Sequence, residues 1–455
     1  MALGKRKQEQ QEAWVATSAL PKSPGHPFYR TLNQLLAEVD FDRRAERICA
    51  PYYAENVGRP SIPPGVYFRM ILIGYFEGIG SQRGIAWRCS DSRSLQDFLG
   101  VAPTDETPDH SSMSRIHVRL PLEVHAEVFR LVLRIAAEKK LLDGKTVGVD
   151  STTLEANAAM KSIERKESGE DWMSYLKRLA EQSGIEDPTE EDARRFDKGR
   201  KDKKVSNEEW ESPTDPESRI TKMKDGTTHL AYKAEHVVDL KTDLVLAATV
   251  HPGDASDAET LLDSVMEAQL NVGESGSDVE IRDVAADKGY HKASTLELAG
   301  ELALRTYIPE SDRPAGRRWT DKPPGYQTAV YGNRRRTKGA RGKRLQRWRS
   351  EMLERSFAHV CETGGARRCW LRGLERVTKR YLIQVAARNL SLIMRVVFGM
   401  GTARGLQPAG DLLSFIYVAI THRWVTWRAL SWRLAYVIDS PLPVLEHRLA
   451  GYLAA

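Results

Sequence analysis

Cysteine is scarce: Cys49, Cys89, Cys361 and Cys369 are the only four in 455 residues, with no C-x-x-C pair among them. That scarcity argues against a disulfide-stapled secreted domain and against a zinc ribbon. The opening residues, MALGKRKQEQQEAW, lack the apolar stretch that a signal peptide needs. The one long apolar tract, Asp411 to Ile438, is broken by His422, Arg423, Arg428 and Arg433, whose burial in lipid would be costly. No G-x-x-x-x-G-K-[ST] word occurs, which argues against an ATP-driven motor. Neither sign of charge dominates, because 68 basic against 62 acidic residues leave +6, too mild to name a partner. A soluble cytoplasmic protein with no membrane segment is expected.

What is present reads as a folded chain of two or three domains, since 41% hydrophobic and 29% charged residues lie near the globular average. Residues 1–25 form a polar, Gln-rich tail expected to be loose. Residues 26–142 carry apolar side chains at helical spacing, among them Leu32, Leu35, Leu36 and Val39, then Val124, Val128, Leu131 and Ile135. Within this helical domain, Asp109 is placed to cap a helix carrying Ser114, Arg115, His117 and Arg119, with a stop at Pro121. The pattern suits a helix-turn-helix DNA reader or a plain helical bundle. At Gly144 it changes to KTVGVDSTTLEANA, read as a buried strand with Asp150 at its C-terminal end. Residues 160–222 are highly charged and predict an inserted, solvent-facing helical arm. HLAYKAEHVVDL and DLVLAATV then predict a hairpin turning at Lys241-Thr242. After an amphipathic helix beginning at Asp257, the apolar run VEIRDVAAD ends on a second carboxylate, Asp287.

Between Gly332 and Arg349 stand nine basic residues and no acidic one: Arg334, Arg335, Arg336, Lys338, Arg341, Lys343, Arg344, Arg347 and Arg349. The run reads either as a polyanion-binding surface or as a solvated basic loop. Helices follow across Ser350 to Val360 and Val377 to Phe398, and residues 401–455 read as a C-terminal helical extension whose Trp424, Trp427 and Trp432 suit packing.

Two strands each delivering an Asp, joined by a third carboxylate from a helix, offer hard oxygen ligands that suit Mg²⁺ or Mn²⁺ rather than Zn²⁺. Two-metal phosphoryl transfer needs such a set, and it requires no covalent enzyme intermediate. An isolated strand-terminal Asp is more often a cap, so the shared context matters. Asp254 and Asp257, in HPGDASDAETLL, read as helix caps, and His251, His291 and the His359, Cys361, Cys369 set carry no role.

The order strand with Asp150, inserted arm, hairpin, helix, strand with Asp287 and helix with Glu354 resembles the DDE transposases of bacterial insertion sequences. The words that carry the resemblance are VGVDSTTLEANA, DPESRITKMKDGTTHLAYKAEHVVDL, AADKGYHK and LERSFAHVCETGGARRCWLRGLERVTKRYLIQVAARNLSLIMR, and Phe28 to Leu142 is similar to the helical domain that precedes the core. The resemblance implies an RNase H-like α/β fold with a mixed sheet over residues 143–400. It also implies Asp150, Asp287 and Glu354 as metal-binding catalytic residues, Mg²⁺ or Mn²⁺ as cofactor, and double-stranded DNA at element ends and target as partner. Assembly as a homo-oligomer on DNA, in the cytoplasm at the bacterial nucleoid, is implied too. Arg115, Arg119, Arg334, Arg335, Arg336, Lys338, Arg341, Lys343 and Arg344 are the expected DNA contacts. Where many members carry Arg four residues before the Glu and Lys seven after it, this chain has Ser350 and Cys361, with Arg349 and His359 as possible substitutes. A decayed DNA-binding relic and a metal-dependent nuclease without strand transfer stand as alternatives, and Glu351 stands as the alternative to Glu354.

Overall fold

The computed structural model describes residues 25–54, 58, 61–200, 205–223, 226–311 and 319–404. The expected tail and C-terminal extension therefore lie outside the described residues, apart from Gly25 and residues 401–404. Helices α1 (Pro27–Glu38), α2 (Phe41–Cys49), α3 (Pro64–Glu77), α4 (Gln82–Asp91), α5 (Arg93–Leu99), α6 (His110–Arg119) and α7 (Leu122–Glu138) come first. The sequence of α3, PGVYFRMILIGYFE, is apolar on nearly every side, and it forms the buried axis round which the others pack. Gly78 at φ 70° ends α3 in the left-handed region that a side chain resists. Asp109 caps α6 by accepting the Ser112 N–H at 2.7 Å.

Strand β1 (Thr146–Glu155) follows. The inserted arm contains β2 (Glu164–Arg165), α8 (Trp172–Gln182), α9 (Glu190–Gly199) and β3 (Trp210–Glu211), and it ends in β4 (Arg219–Lys222), which joins the main sheet. Next come β5 (Thr228–Asp239), β6 (Val245–Pro252), α10 (Asp257–Glu274), β7 (Asp283–Ala285), α11 (Ala293–Glu301) and β8 (Arg305–Tyr307). Helices α12 (Pro324–Lys338), α13 (Ala340–Phe357) and α14 (Leu374–Phe398) complete the described chain, with a π-helical turn over Ala358–Thr363. The sheet runs β6–β5–β1–β7–β8, with β4 continuing the β6 edge of β5. β5 is antiparallel to β1 and β6, whereas β1, β7 and β8 are mutually parallel. This is the RNase H-like arrangement, preceded by an all-helical region.

Helix α13 lies on one face of the sheet and α10 on the other, and α14 packs against β6. Successive side chains of β1 alternate, so Gly148 and Asp150 face α13 while Ser151 faces α10. Gly148 leaves room that α13 uses: a Cβ there would meet Leu353 and Leu240 below 3.0 Å. His236 of β5 stacks on Phe357 at 4.3 Å between ring centres and bonds Ser356 and Tyr381, which seats the end of α13 on the sheet. Burial lowers His236 to a pKa of about 3, so it is neutral at physiological pH. Among the described residues α14 is the one helix long and apolar enough to cross a membrane, and 72% of its most apolar window is buried here against α3, α7 and β6.

Three expectations are corrected. β1 does not stop at Asp150 but runs five residues further, because Ser151 to Glu155 pair with β5 even though their side chains are mostly polar. The arm is not purely helical, since it holds a small two-stranded sheet and lends β4 to the core. The basic run is no loop: it forms the end of α12 and most of α13, one face of which packs on the sheet.

Candidate active site

The β1–β7 ladder ends at Gly148 opposite Ala285, and Asp150 and Asp287 stand the same two residues beyond that last pair. Parallel neighbours lie about 4.8 Å apart, so this register brings two carboxylates to one level on adjacent chains. Asp150 Oδ1 accepts the Ser151 N–H at 2.9 Å, and its Oδ2 accepts Arg349 Nη1 of α13 at 2.8 Å. The Asp150 side chain keeps 28% of its surface in contact with solvent, Arg349 only 13%. Asp287 is half-buried and caps the turn Lys288–Tyr290 by accepting the Gly289 N–H at 2.8 Å.

Glu354 sits on the exposed flank of α13, where its Oε1 accepts Ser350 Oγ at 3.0 Å. With about 100° per residue, Arg349, Leu353 and Ser356 mark the line of α13 that faces the sheet, Glu351 points almost directly away, and Glu354 lies to one side. Arg341 and Arg355 occupy the other side, where they pair with Asp283 at the start of β7 and Asp243 in the β5–β6 turn. Glu354 therefore lies on the exposed flank of α13 opposite Arg341 and Arg355. Glu351 pairs with Arg355.

A fourth carboxylate joins this end. Asp257 was expected to cap α10, yet it occupies the first helical position without a capping bond from Ser256 before it. Its Oδ1 accepts Ser151 Oγ at 3.0 Å and Lys233 Nζ at 3.1 Å. A Cβ on Gly289 would press on both Asp257 Oδ2 and Asp287 Oδ1, so the two carboxylates close on the same glycine. Sequence reasoning missed Asp257 because a helix-start Asp is usually a cap. Behind it, Glu235 is fully buried, its pKa raised by burial, and its Oε2 accepts Tyr290 Oη at 2.8 Å and Thr260 Oγ1 at 2.9 Å. Tyr290 is thus a packing and hydrogen-bonding residue inside the core.

In donor chemistry these carboxylates fit a hard divalent cation. Among the described residues no three acidic, histidine or cysteine side chains stand close enough together to wrap an ion as they are oriented, with Asp150 turned to Arg349 and Glu354 to Ser350.

The basic candidates divide. Arg334 clamps Glu310 with two bonds of 2.6 and 2.9 Å, Arg336 donates to the Thr306 carbonyl at 3.0 Å, and Arg341 pairs with Asp283 at 2.5 Å. These three hold α12 and α13 to the sheet. Arg335, Lys338, Lys343 and Arg344 are exposed, with Arg344 beside the Trp348 ring at 5.5 Å. On α6, Arg115 and Arg119 are exposed, Arg119 lying over Tyr53 at 4.9 Å. His117 is buried against Tyr67 and His125, and burial lowers the two histidines to about 3 and 4.

Comparison with known families gives two matches. The Transposase DDE domain family matches residues 149–390, and the family described as Transposase domain (DUF772) matches residues 18–119. Comparison with curated proteins returns no match.

Proposed function

The chain belongs to the Transposase DDE domain family and is a transposase, and on that footing we propose that it binds the terminal inverted repeats of its element and carries out metal-dependent strand cleavage and strand transfer. The observation that carries the reading is the shared register of Asp150 and Asp287 beyond the β1–β7 ladder, at a solvent-reached end of the sheet. Glu354 is the carboxylate that α13 would bring to that end.

Asp150, Asp287 and Glu354 would hold Mg²⁺ or Mn²⁺, which when bound supplies activation of the attacking oxygen and stabilisation of the leaving one. Arg349 holds the Asp150 carboxylate in place from a largely buried seat. Asp257, tied to Lys233 and Ser151, fixes the start of α10 beside Asp287. The helical region, residues 26–142, acts as the DNA-binding domain, with Arg115 and Arg119 toward phosphates or bases. Arg335, Lys338, Lys343 and Arg344 add sequence-independent phosphate contacts along the exposed sides of α12 and α13. Arg334, Arg336 and Arg341 are assigned to structure, not to DNA. Assembly as a homo-oligomer on DNA completes the reading.

The test uses the full chain and a duplex ending in the inverted repeats that flank its gene. Asp150→Asn or Asp287→Asn should reduce cleavage in Mg²⁺ by at least about a thousandfold and leave binding within a few-fold, because the amide keeps the shape but not the metal-holding charge. Cleavage near the unsubstituted rate in either variant would remove that Asp from the site. Cleavage without joining of the 3′ end to target DNA would favour a nuclease, and no cleavage by the unsubstituted chain would favour a relic.

A further inference from the structure

Where the helical region meets the sheet domain, a cavity of about 460 Å³ opens between the α3–α4 turn, the start of α6, the far end of β1, the segment 365–371 and α14. Its walls include three arginines, Arg83, Arg368 and Arg380, and no carboxylate. Arg380 is only 9% exposed; its Nη2 donates to the Ile79 and Gly80 carbonyls at 3.3 Å each, while its buried Nε has no hydrogen-bond partner. Burial lowers this guanidinium to about 10, which still leaves it charged at neutral pH. An N–H left unbonded in such a place is costly unless something else accepts from it.

The cavity also has an aromatic wall. Trp370 is 55% exposed, a large value for the biggest apolar side chain, and the Arg368 guanidinium lies 5.8 Å from its ring. Gly80 backs the indole so closely that a Cβ there would strike it. Three cations alone would suit any anion. An exposed indole beside them calls for a ligand with a flat apolar face as well as negative charge, and the volume is that of a small-molecule pocket, too narrow for a duplex.

Position points the same way. Leu154, in the wall, lies four residues along β1 from Asp150, or about 13 Å at the usual rise per residue. Arg367 ties the segment to β1 between them, donating from Nη1 to Thr152 Oγ1 at 3.0 Å and the Thr153 carbonyl at 3.2 Å. A DNA strand whose phosphate reached Asp150 would come to this cavity within a few nucleotides.

We propose that the cavity binds one unpaired nucleotide of a single-stranded DNA end, its base stacked on Trp370 and its phosphate held by Arg83, Arg368 and Arg380. The proposal rests on the transposase reading above and adds to it a site, at the joint between the two regions, that recognises strand separation rather than sequence.

The test measures binding of the full chain to a blunt duplex and to the same duplex carrying a short single-stranded overhang, with 5′ and 3′ overhangs as separate arms. At least one overhang should bind roughly tenfold more tightly than the blunt end, the scale of one base stacked on an aromatic ring. Trp370→Ala should erase that preference and leave the blunt affinity as it was, whereas Trp370→Phe, which keeps a stacking ring, should retain most of it. A 5-iodouracil placed in the overhang should photocrosslink to the peptide that contains Trp370. Equal affinity for blunt and overhanging duplexes, or a preference that survives Trp370→Ala, would overturn the pocket while leaving cleavage at Asp150 and Asp287 standing. Binding to neither duplex would overturn both.

Discussion

The two ends of the central sheet each gather three aspartates, and they treat them in opposite ways. At the end where β1 and β7 begin, Asp239, Asp243 and Asp283 are 0%, 6% and 2% exposed. Asp239 accepts the backbone N–H groups of Asp143 and Gly144 at 2.9 Å and the hydroxyl of Thr242 at 2.8 Å. Asp283 is held by Arg305 and Arg341, and Asp243 by Arg388 and Arg355. At the other end Asp150, Asp257 and Asp287 keep contact with solvent. Burial among such partners makes a carboxylate a rivet, most of all Asp243, because removing it strands the charge of the buried Arg388. A carboxylate on a solvent-reached rim costs less to hold and stays within reach of a ligand.

The contrast breaks most visibly in catalysis. Glu354→Gln should cut metal-dependent strand cleavage by at least about a hundredfold, while Glu351→Gln, on the outward line of α13, should stay within about threefold of the unsubstituted rate. The reverse pattern in a cleavage assay would move the third carboxylate to Glu351 and show that α13 presents a different side. At the riveted end the loss should be of stability: Asp243→Asn leaves the buried Arg388 without its counter-charge and should cost about 3 kcal/mol in urea unfolding. A change under about 0.5 kcal/mol would mean that this aspartate is no rivet.

Protons supply a smaller and separate probe. His236, His117 and His125 have folded-state values of about 3, 3 and 4 against an ordinary 6.5, so the unfolded chain takes up protons first as pH falls. Their stabilisation is complete above the ordinary value and declines between 6.5 and about 4, by up to about 1.4 kcal/mol per pH unit for each histidine. Thermal melts over that window should show the decline, and His236→Gln should flatten part of it. A melting temperature independent of pH there would contradict the burial of these rings. The smallest effect belongs to the exposed cations: Lys343→Ala or Arg344→Ala should weaken DNA binding only a few-fold and reduce the slope of log affinity against log salt by about one. An unchanged slope would place that side chain off the DNA.

Much of this contrast was legible in the residues themselves. The apolar runs TVGV and VEIRDVAA predict buried strands, and each leads to a carboxylate, which is why Asp150 and Asp287 stand out. The helix boundaries round Asp109 and Pro121 follow from capping and proline chemistry. The extension of β1 to Glu155 was not legible, because Ser151, Thr152 and Thr153 owe their strand conformation to pairing with β5 rather than to a buried apolar face. The helices of the basic run were hidden for a similar reason: α12 and α13 lack a clear apolar stripe and are held partly by arginines bonded to Glu310, Thr306 and Asp283. Asp257 looked like a cap, and only its contacts with Ser151 and Lys233 mark it as part of the rim. An Asp that will be riveted and one that will face solvent read alike until the chain is folded.

The central claim is that the solvent-side aspartates, and not the riveted ones, hold the divalent ion. Titration of the full chain with Mn²⁺, followed by electron paramagnetic resonance of the free ion, tests it without relying on cleavage. The unsubstituted chain and Lys241→Ala, an exposed change at the riveted end, should bind the ion alike, whereas Asp150→Asn and Asp287→Asn should each weaken binding at least about tenfold. Mn²⁺ bound equally by all four proteins would contradict the account.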